Sequence, residues 1–184
     1  GLHTADRKIP ENTMAAFQAA IDAGYGIEMD VNALGDGTVV VFHDKNLERL
    51  CGDPRYLRDL TVEDIRGLRI LGTEERISTL REVLDFVAGR VPLLIELKPF
   101  GPYEFLARNF MKTMEGYQGV WAMHSFHPKT VNWFRIHHPD VIRGQISEFF
   151  ERDQDMNKIL KYAMKHLLFN VVAKPDFINY GVHD

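Results

Sequence analysis

Two short runs that read as buried strands, Gly26-Ile27-Glu28-Met29-Asp30-Val31 and Val39-Val40-Val41-Phe42-His43-Asp44, carry charge where a core strand should carry none. In an extended chain the side chains alternate between faces, so Glu28 and Asp30 point to the same side. Val39, Val41 and His43 likewise share one face of the second run, with the histidine last. Two carboxylates and an imidazole at the exit ends of neighbouring strands are costly to desolvate unless a bound cation and a phosphate use them. Any fold for this chain has to bring those strand ends to one place.

Around these runs strand and helix alternate. Pro10-Glu11-Asn12-Thr13 leads into a helix with Met14, Phe17 and Ile21 at helical spacing, stopped by Gly24. The strands at 26–31 and 39–43 are joined by the turn signal Gly35-Asp36-Gly37, and residues 45–60 read as loop. Short helices are expected from Thr61 and from Thr79, where Thr79-Leu80-Arg81-Glu82 has capping-box form. Strands at 91–98, 119–126, 141–147 and 176–180 then alternate with helices at 102–115, 128–138 and 153–169. Leu94, Glu96 and Lys98 share a face, so that strand also ends in charge. The repeated order predicts an α/β fold: a parallel sheet with right-handed crossovers, covered by helices, with its site at the strands' carboxyl ends. With no repeat, low-complexity segment or boundary, the 184 residues, 45% hydrophobic, read as one domain.

A net charge of −4 with no basic run argues against nucleic acid as a main partner. The lone cysteine, Cys51, excludes an internal disulfide framework, fits a reducing, cytoplasmic compartment, and reads as a structural thiol. No apolar run reaches the roughly 18–20 residues that span a bilayer. The sequence starts at Gly1 rather than Met, which is compatible with a removed targeting or anchor segment.

Glu28, Asp30 and Glu96 are expected to converge at adjacent strand ends. Like charges at that range raise one another's pKa and oppose folding unless a cation is present. All-oxygen donors favour a hard ion, Mg²⁺, Ca²⁺ or Mn²⁺, over Zn²⁺. The plainer alternative is a set that only salt-bridges Lys98 and nearby arginines. An imidazole beside the cluster suits proton transfer, although a lone strand-end histidine is more often structural. His127, His137, His138, His166 and His183 have no ligand-like spacing, and Trp121, Trp133 and Phe134 read as core.

The ordered set Pro10-Glu11-Asn12-Thr13, Ile27-Glu28-Met29-Asp30-Val31, Asp36-Gly37-Thr38-Val39-Val40, His43-Asp44, Leu47-Glu48-Arg49 and Ile95-Glu96-Leu97-Lys98 resembles the glycerophosphodiester phosphodiesterase family. Ser125-Phe126 with Pro128, and Lys174-Pro175-Asp176-Phe177-Ile178, extend the likeness over essentially the whole chain. The resemblance implies a TIM (β/α)8 barrel. It also implies hydrolysis of glycerophosphodiesters to sn-glycerol 3-phosphate and an alcohol such as choline or ethanolamine, in glycerol and lipid metabolism. One divalent cation, Mg²⁺ or Ca²⁺ with Mn²⁺ possible, would sit on Glu28, Asp30 and Glu96. His43 would be a general acid/base, and Lys98, Glu11 and Phe126 would face the substrate or its phosphate.

Some roles stay open under that resemblance. Lys98 is either a fixed charge at the phosphate or a solvated lysine. Glu11 either orients the substrate or the family's arginine, or is a first-turn acid favoured by the helix dipole. His124 either touches substrate or hydrogen-bonds within the barrel. Members of the family open with a strand ending in His-Arg-Gly, whose histidine is the second catalytic imidazole. Gly1 aligns with the end of that motif, which puts the second histidine just upstream of Gly1; a rival alignment puts His3-Thr4-Ala5 there. Six strands are counted where a barrel has eight, so the first and last strands are expected to lie outside the sequence. Two rival functions remain: a non-catalytic barrel serving as a binding module, and a phospholipase D-type phosphodiesterase acting on lipid head groups.

Overall fold

Alternating burial builds the first strand pair. β1 (Ile27–Ala33) turns Ile27, Met29 and Val31 into the core and presents Glu28, Asp30 and Asn32 on the opposite face. β4 (Leu93–Leu97) lies parallel to it, in a register that sets Asp30 beside Glu96. Residues 1–4, 8–150 and 156–181 of this computed structural model are described. The chain forms two compact units, Gly1–Trp121 and Ala122–Asp184. In the first, α1 (Met14–Asp22) and α5 (Tyr103–Met114) pack on β1, with Phe17 and Phe110 fully buried.

The strand expected at 39–43 runs antiparallel, not parallel. β2 (Val39–Val41) pairs back onto β1, Val31 opposite Val41. Its connection is too short for the crossover of a dozen or more residues that a parallel pair needs. Leu34 N–H bonds to the Thr38 carbonyl (2.9 Å), closing a three-residue loop whose last residue, Gly37, has φ +88°. β3 (Ser78–Thr79) adds antiparallel to β2.

The span expected as loop, 45–60, holds structure: α2 (Glu48–Cys51) and a 3₁₀ turn at Leu57–Asp59. With α3 (Val62–Ile65) it encloses its own apolar cluster, including Leu34, Phe42, Leu47, Leu57, Ile65 and Ile70. These side chains lack a helical or strand period, which is why the pattern did not announce them. Burial pushes the Cys51 thiol up to about 11, so it stays protonated near neutrality.

The expected cap at Thr79 is present at the start of α4 (Leu80–Val87). Thr79 Oγ1 accepts from Glu82 N–H at 3.2 Å, and Glu82 Oε2 accepts from Thr79 N–H at 2.7 Å. Thr79→Ala is expected to cost about 1 kcal/mol, read as a lower denaturation midpoint with the slope unchanged.

The second unit contains β5 (Trp121–Ser125) from Ala122 onward, α6 (Pro128–His137), β6 (Arg143–Ser147), α7 (Lys158–Lys165), α8 (Asn170–Ala173) and β7 (Phe177–Tyr180). β5, β6 and β7 are parallel neighbours. Gly144 of β6 lies under the Phe177 ring, where a Cβ would collide. Of the helix expected over 153–169, only Lys158–Lys165 is helical; α8 begins beyond that span, and 153–155 lie outside the described residues. Leu167, at φ +57°, ends α7 in a Schellman motif: Leu168 N–H bonds to the Ala163 carbonyl (2.9 Å) and Leu167 N–H to that of Met164 (3.0 Å). Met164 is buried, while Ile159, Leu160 and Leu168 of the expected stripe are exposed. Trp133 and Phe134 are buried, as expected, and His183 lies outside the described residues. Among the described residues no helix is long and apolar enough to cross a membrane.

Candidate active site

The antiparallel return of β2 is what delivers His43. Phe42 N–H bonds to the Asp30 carbonyl (2.9 Å), so the chain leaves β2 at the level of the β1 carboxylates rather than at the far end of the strand. Asp30 and Glu96 are 8% exposed, and a carboxylate oxygen of Glu28 comes within 4.8 Å of one of Glu96. Glu28 and Asp30 therefore share one sheet face, as the two-residue strand period requires, and Glu96 stands beside Asp30 in the β1–β4 register.

Lys98, one step beyond β4, reaches into this group. Its ammonium lies 3.2 Å from Glu96 Oε1, 3.6 Å from Asp30 Oδ1 and 3.1 Å from His43 Nε2. An ammonium only donates, so His43 Nε2 accepts here and its proton sits on Nδ1. That proton is held by Asp44 Oδ1 at 2.7 Å. The pair fixes the tautomer and the ring plane, and leaves the basic nitrogen beside Lys98.

Behind Asp44 stands Arg49, which the sequence did not single out for a role. Its guanidinium bonds Asp44 at 2.6 and 3.0 Å and Glu11 at 2.6 and 3.2 Å, forked on both sides. Burial alone would raise the Asp44 pKa, but the hydrogen bonds from Arg49 and His43 outweigh it and hold the carboxyl below its ordinary value. The Glu11 contact raises Arg49 above an already high value. Glu11 thus serves as an anchor for Arg49. The only sequence signal for Arg49 was its place in Leu47-Glu48-Arg49.

Asn12 was also missed. It occupies the left-handed region at φ +56°, a conformation Asn tolerates better than most residues. From there its amide donates to Asp30 Oδ2 (2.9 Å) and its carbonyl accepts from Asp30 N–H (3.2 Å). Glu11, Asn12, Glu28, Asp30, His43 and Arg49 all line one cleft of about 330 Å³, and His3 lies on its wall.

Phe126 belongs to the second unit, where its ring meets Phe150 edge to face at 6.1 Å. His124 is 2% exposed and lies beside Phe177.

The profile of the glycerophosphoryl diester phosphodiesterase family matches residues 4–173. The chain belongs to that family. A glycerophosphodiester phosphodiesterase of Caldanaerobacter subterraneus is 38% identical over 107 residues, covering 52% of this chain and 43% of that protein. Glycerophosphodiester phosphodiesterase 1 of Homo sapiens is 31% identical over 154 residues, covering 77% of this chain and 45% of its own. The chain thus spans less than half the length of these relatives. An Oleispira antarctica phosphodiesterase, solved with the product sn-glycerol-3-phosphate, superposes with a TM-score of 0.76 at 22% identity, covering 93% of this chain and 69% of that one. The fold is therefore the family's α/β TIM barrel. Glu28, Asp30, His43, Glu96 and Lys98 all lie in the first unit of this glycerophosphoryl diester phosphodiesterase family member.

Proposed function

We propose that this chain carries the reaction site of a divalent-cation-dependent phosphodiesterase that releases sn-glycerol 3-phosphate from glycerophosphodiesters. One observation carries the reading. The His43 ring is held between Asp44 and Lys98, while the same Lys98 ammonium touches Asp30 and Glu96. A proton acceptor and two acidic donors lie within reach of one fixed positive charge.

The donors fit a hard cation. They are all carboxylate oxygens, and two of the three residues are buried, where uncompensated charge is costly. Glu28, Asp30 and Glu96 would hold the ion, which when bound draws charge from a non-bridging phosphate oxygen. Asn12 keeps Asp30 turned toward the cleft. Lys98 supplies positive charge beside the phosphate as charge develops on it.

His43 moves the proton. Nε2 is the free base in this tautomer, so it takes the proton of the attacking oxygen, from water or the neighbouring glycerol hydroxyl, as the new P–O bond forms. The bond to the alcohol breaks, and the leaving oxygen takes a proton from a second acid; where the glycerol hydroxyl attacks, a water then adds to the cyclic phosphate and breaks its ring P–O bond to give sn-glycerol 3-phosphate. In the family that acid is the histidine of the His-Arg-Gly motif, and within this chain His3 on the cleft wall is the candidate for it.

The test is release of sn-glycerol 3-phosphate from glycerophosphocholine by the complete gene product. Mg²⁺, Ca²⁺ and Mn²⁺ are each compared with a chelator, and lysophosphatidylcholine serves as competing substrate. Cation-dependent release supports the reading. A folded, cation-loaded protein that releases nothing overturns it, and faster release from the lysophospholipid moves it to lipid head groups.

Arg49 is expected to act through Asp44. Arg49→Gln should lower kcat about 10–100-fold with KM little changed, because the ring it orients loses its alignment. Arg49→Lys should recover part of the loss. The guanidinium is 48% exposed, so unfolding stability should move little.

A further inference from the structure

Lys98 stands between two hollows. Its ammonium touches His43, which lines the polar cleft, and Lys98 is itself among the residues lining a second cavity of about 180 Å³ between the β1–β2 turn and the segment that follows β4. The walls of this second cavity include Leu57, Pro99, Phe100, Pro102, Phe105 and Leu106. Among the described residues, no acidic side chain lines it. Phe100 and Phe105 are 41% and 42% exposed, so apolar ring surface stands open to water beside the cavity. At its edge, Arg58 rests over the Tyr56 ring (5.3 Å), with Asp59 3.8 Å away.

The two hollows differ in chemistry. The polar cleft, with Glu11, Asn12, Asp44 and Arg49, offers donors and acceptors that suit glycerol hydroxyls. The second offers apolar contact and two cationic side chains, Lys98 and Arg58. We infer that the second cavity is the subsite for the alcohol substituent of the diester, and that it takes a short, apolar, uncharged group in preference to a cationic head group. A phosphate at Lys98 then has its glycerol in the polar cleft and its other ester in the apolar one. Burying the substituent removes its surface and the two phenylalanine faces from water together. With no acidic side chain among its described walls, the cavity offers an ammonium no counter-charge, and a cavity of this size has no room for a long acyl tail.

This inference rests on the phosphodiesterase reading, and its test separates the two. kcat/KM is measured for sn-glycero-3-phospho esters of methanol, ethanol, butanol and choline, with the complete gene product and its best cation. The expected result is a gain of about fourfold per methylene from methyl to butyl, the equivalent of about 0.8 kcal/mol for each buried CH₂. The choline ester should fall below the butyl ester. Phe105→Asp should collapse the butyl-to-methyl ratio toward one. Arg58→Glu, on a side chain 64% exposed and so tolerant of replacement, should raise the choline-to-butyl ratio. Flat rates across the alkyl series, a choline ester that beats butyl, or ratios unmoved by either variant overturn the subsite while leaving the phosphodiesterase standing. Absence of hydrolysis with every ester overturns both.

Discussion

His43→Ala is expected to reduce turnover of a glycerophosphodiester by about 10²–10⁴-fold while leaving the fold and the cation affinity intact. The side chain is 46% exposed, so its removal opens no core cavity. The carboxylates that would bind the ion keep their own supports, because Asp30 retains Asn12 and Lys98, and Glu96 retains Lys98. What disappears is the nitrogen beside Lys98. His43→Gln sharpens the result, since an amide restores hydrogen bonding but cannot take up a proton; it should be as slow as alanine. The measurements are single-turnover rates at saturating substrate, cation titration by calorimetry, and circular dichroism. An alanine variant that turns over at the parent rate with its cation bound would remove His43 from the chemistry and favour a binding role for the barrel.

The sequence disclosed this site unevenly, for physical reasons. Glu28, Asp30 and Glu96 were legible because strand periodicity is local: two residues apart means the same face, and the parallel register of β1 and β4 supplies the rest. Nothing local encodes the partnership of Glu11 with Arg49, which are 38 residues apart and joined only when the segment from 45 to 77 folds over its own apolar cluster. The direction of β2 was available in principle, since Gly35-Asp36-Gly37 is too short for a crossover. Reading the chain as uniform strand–helix alternation overrode that cue. Likewise Ile159, Leu160 and Leu168 keep helical spacing, yet the left-handed turn at Leu167 cuts the helix before that stripe is complete. Period predicts which residues share a face; it does not predict where a backbone reverses.

Glu96→Gln is expected to abolish cation-induced stabilisation and, with it, turnover. Three carboxylates share this sheet face, with Glu28 within 4.8 Å of Glu96 and Asp30 beside Glu96 in the strand register, and the ion pairs described for Asp30 and Glu96 both run to the single ammonium of Lys98. If the set serves a cation, negative charge is in excess without it. Neutralising Glu96 then relieves repulsion, Asp30 still pairs with Lys98, and the cation-free variant should unfold within about 1 kcal/mol of the parent. In the parent, a saturating cation at 100 times its Kd should add about 2.7 kcal/mol; in the variant that increment should vanish. If the set were only a buried ion pair with Lys98, the signs would change. Removing one partner would cost about 3–5 kcal/mol, and no divalent ion would shift the parent's melting curve. Thermal unfolding of both proteins, with and without Mg²⁺, Ca²⁺ and Mn²⁺, separates these cases without reference to catalysis. A parent indifferent to all three ions, paired with a strongly destabilised Glu96→Gln, would leave the carboxylates as structure alone and take the cation out of the proposed reaction.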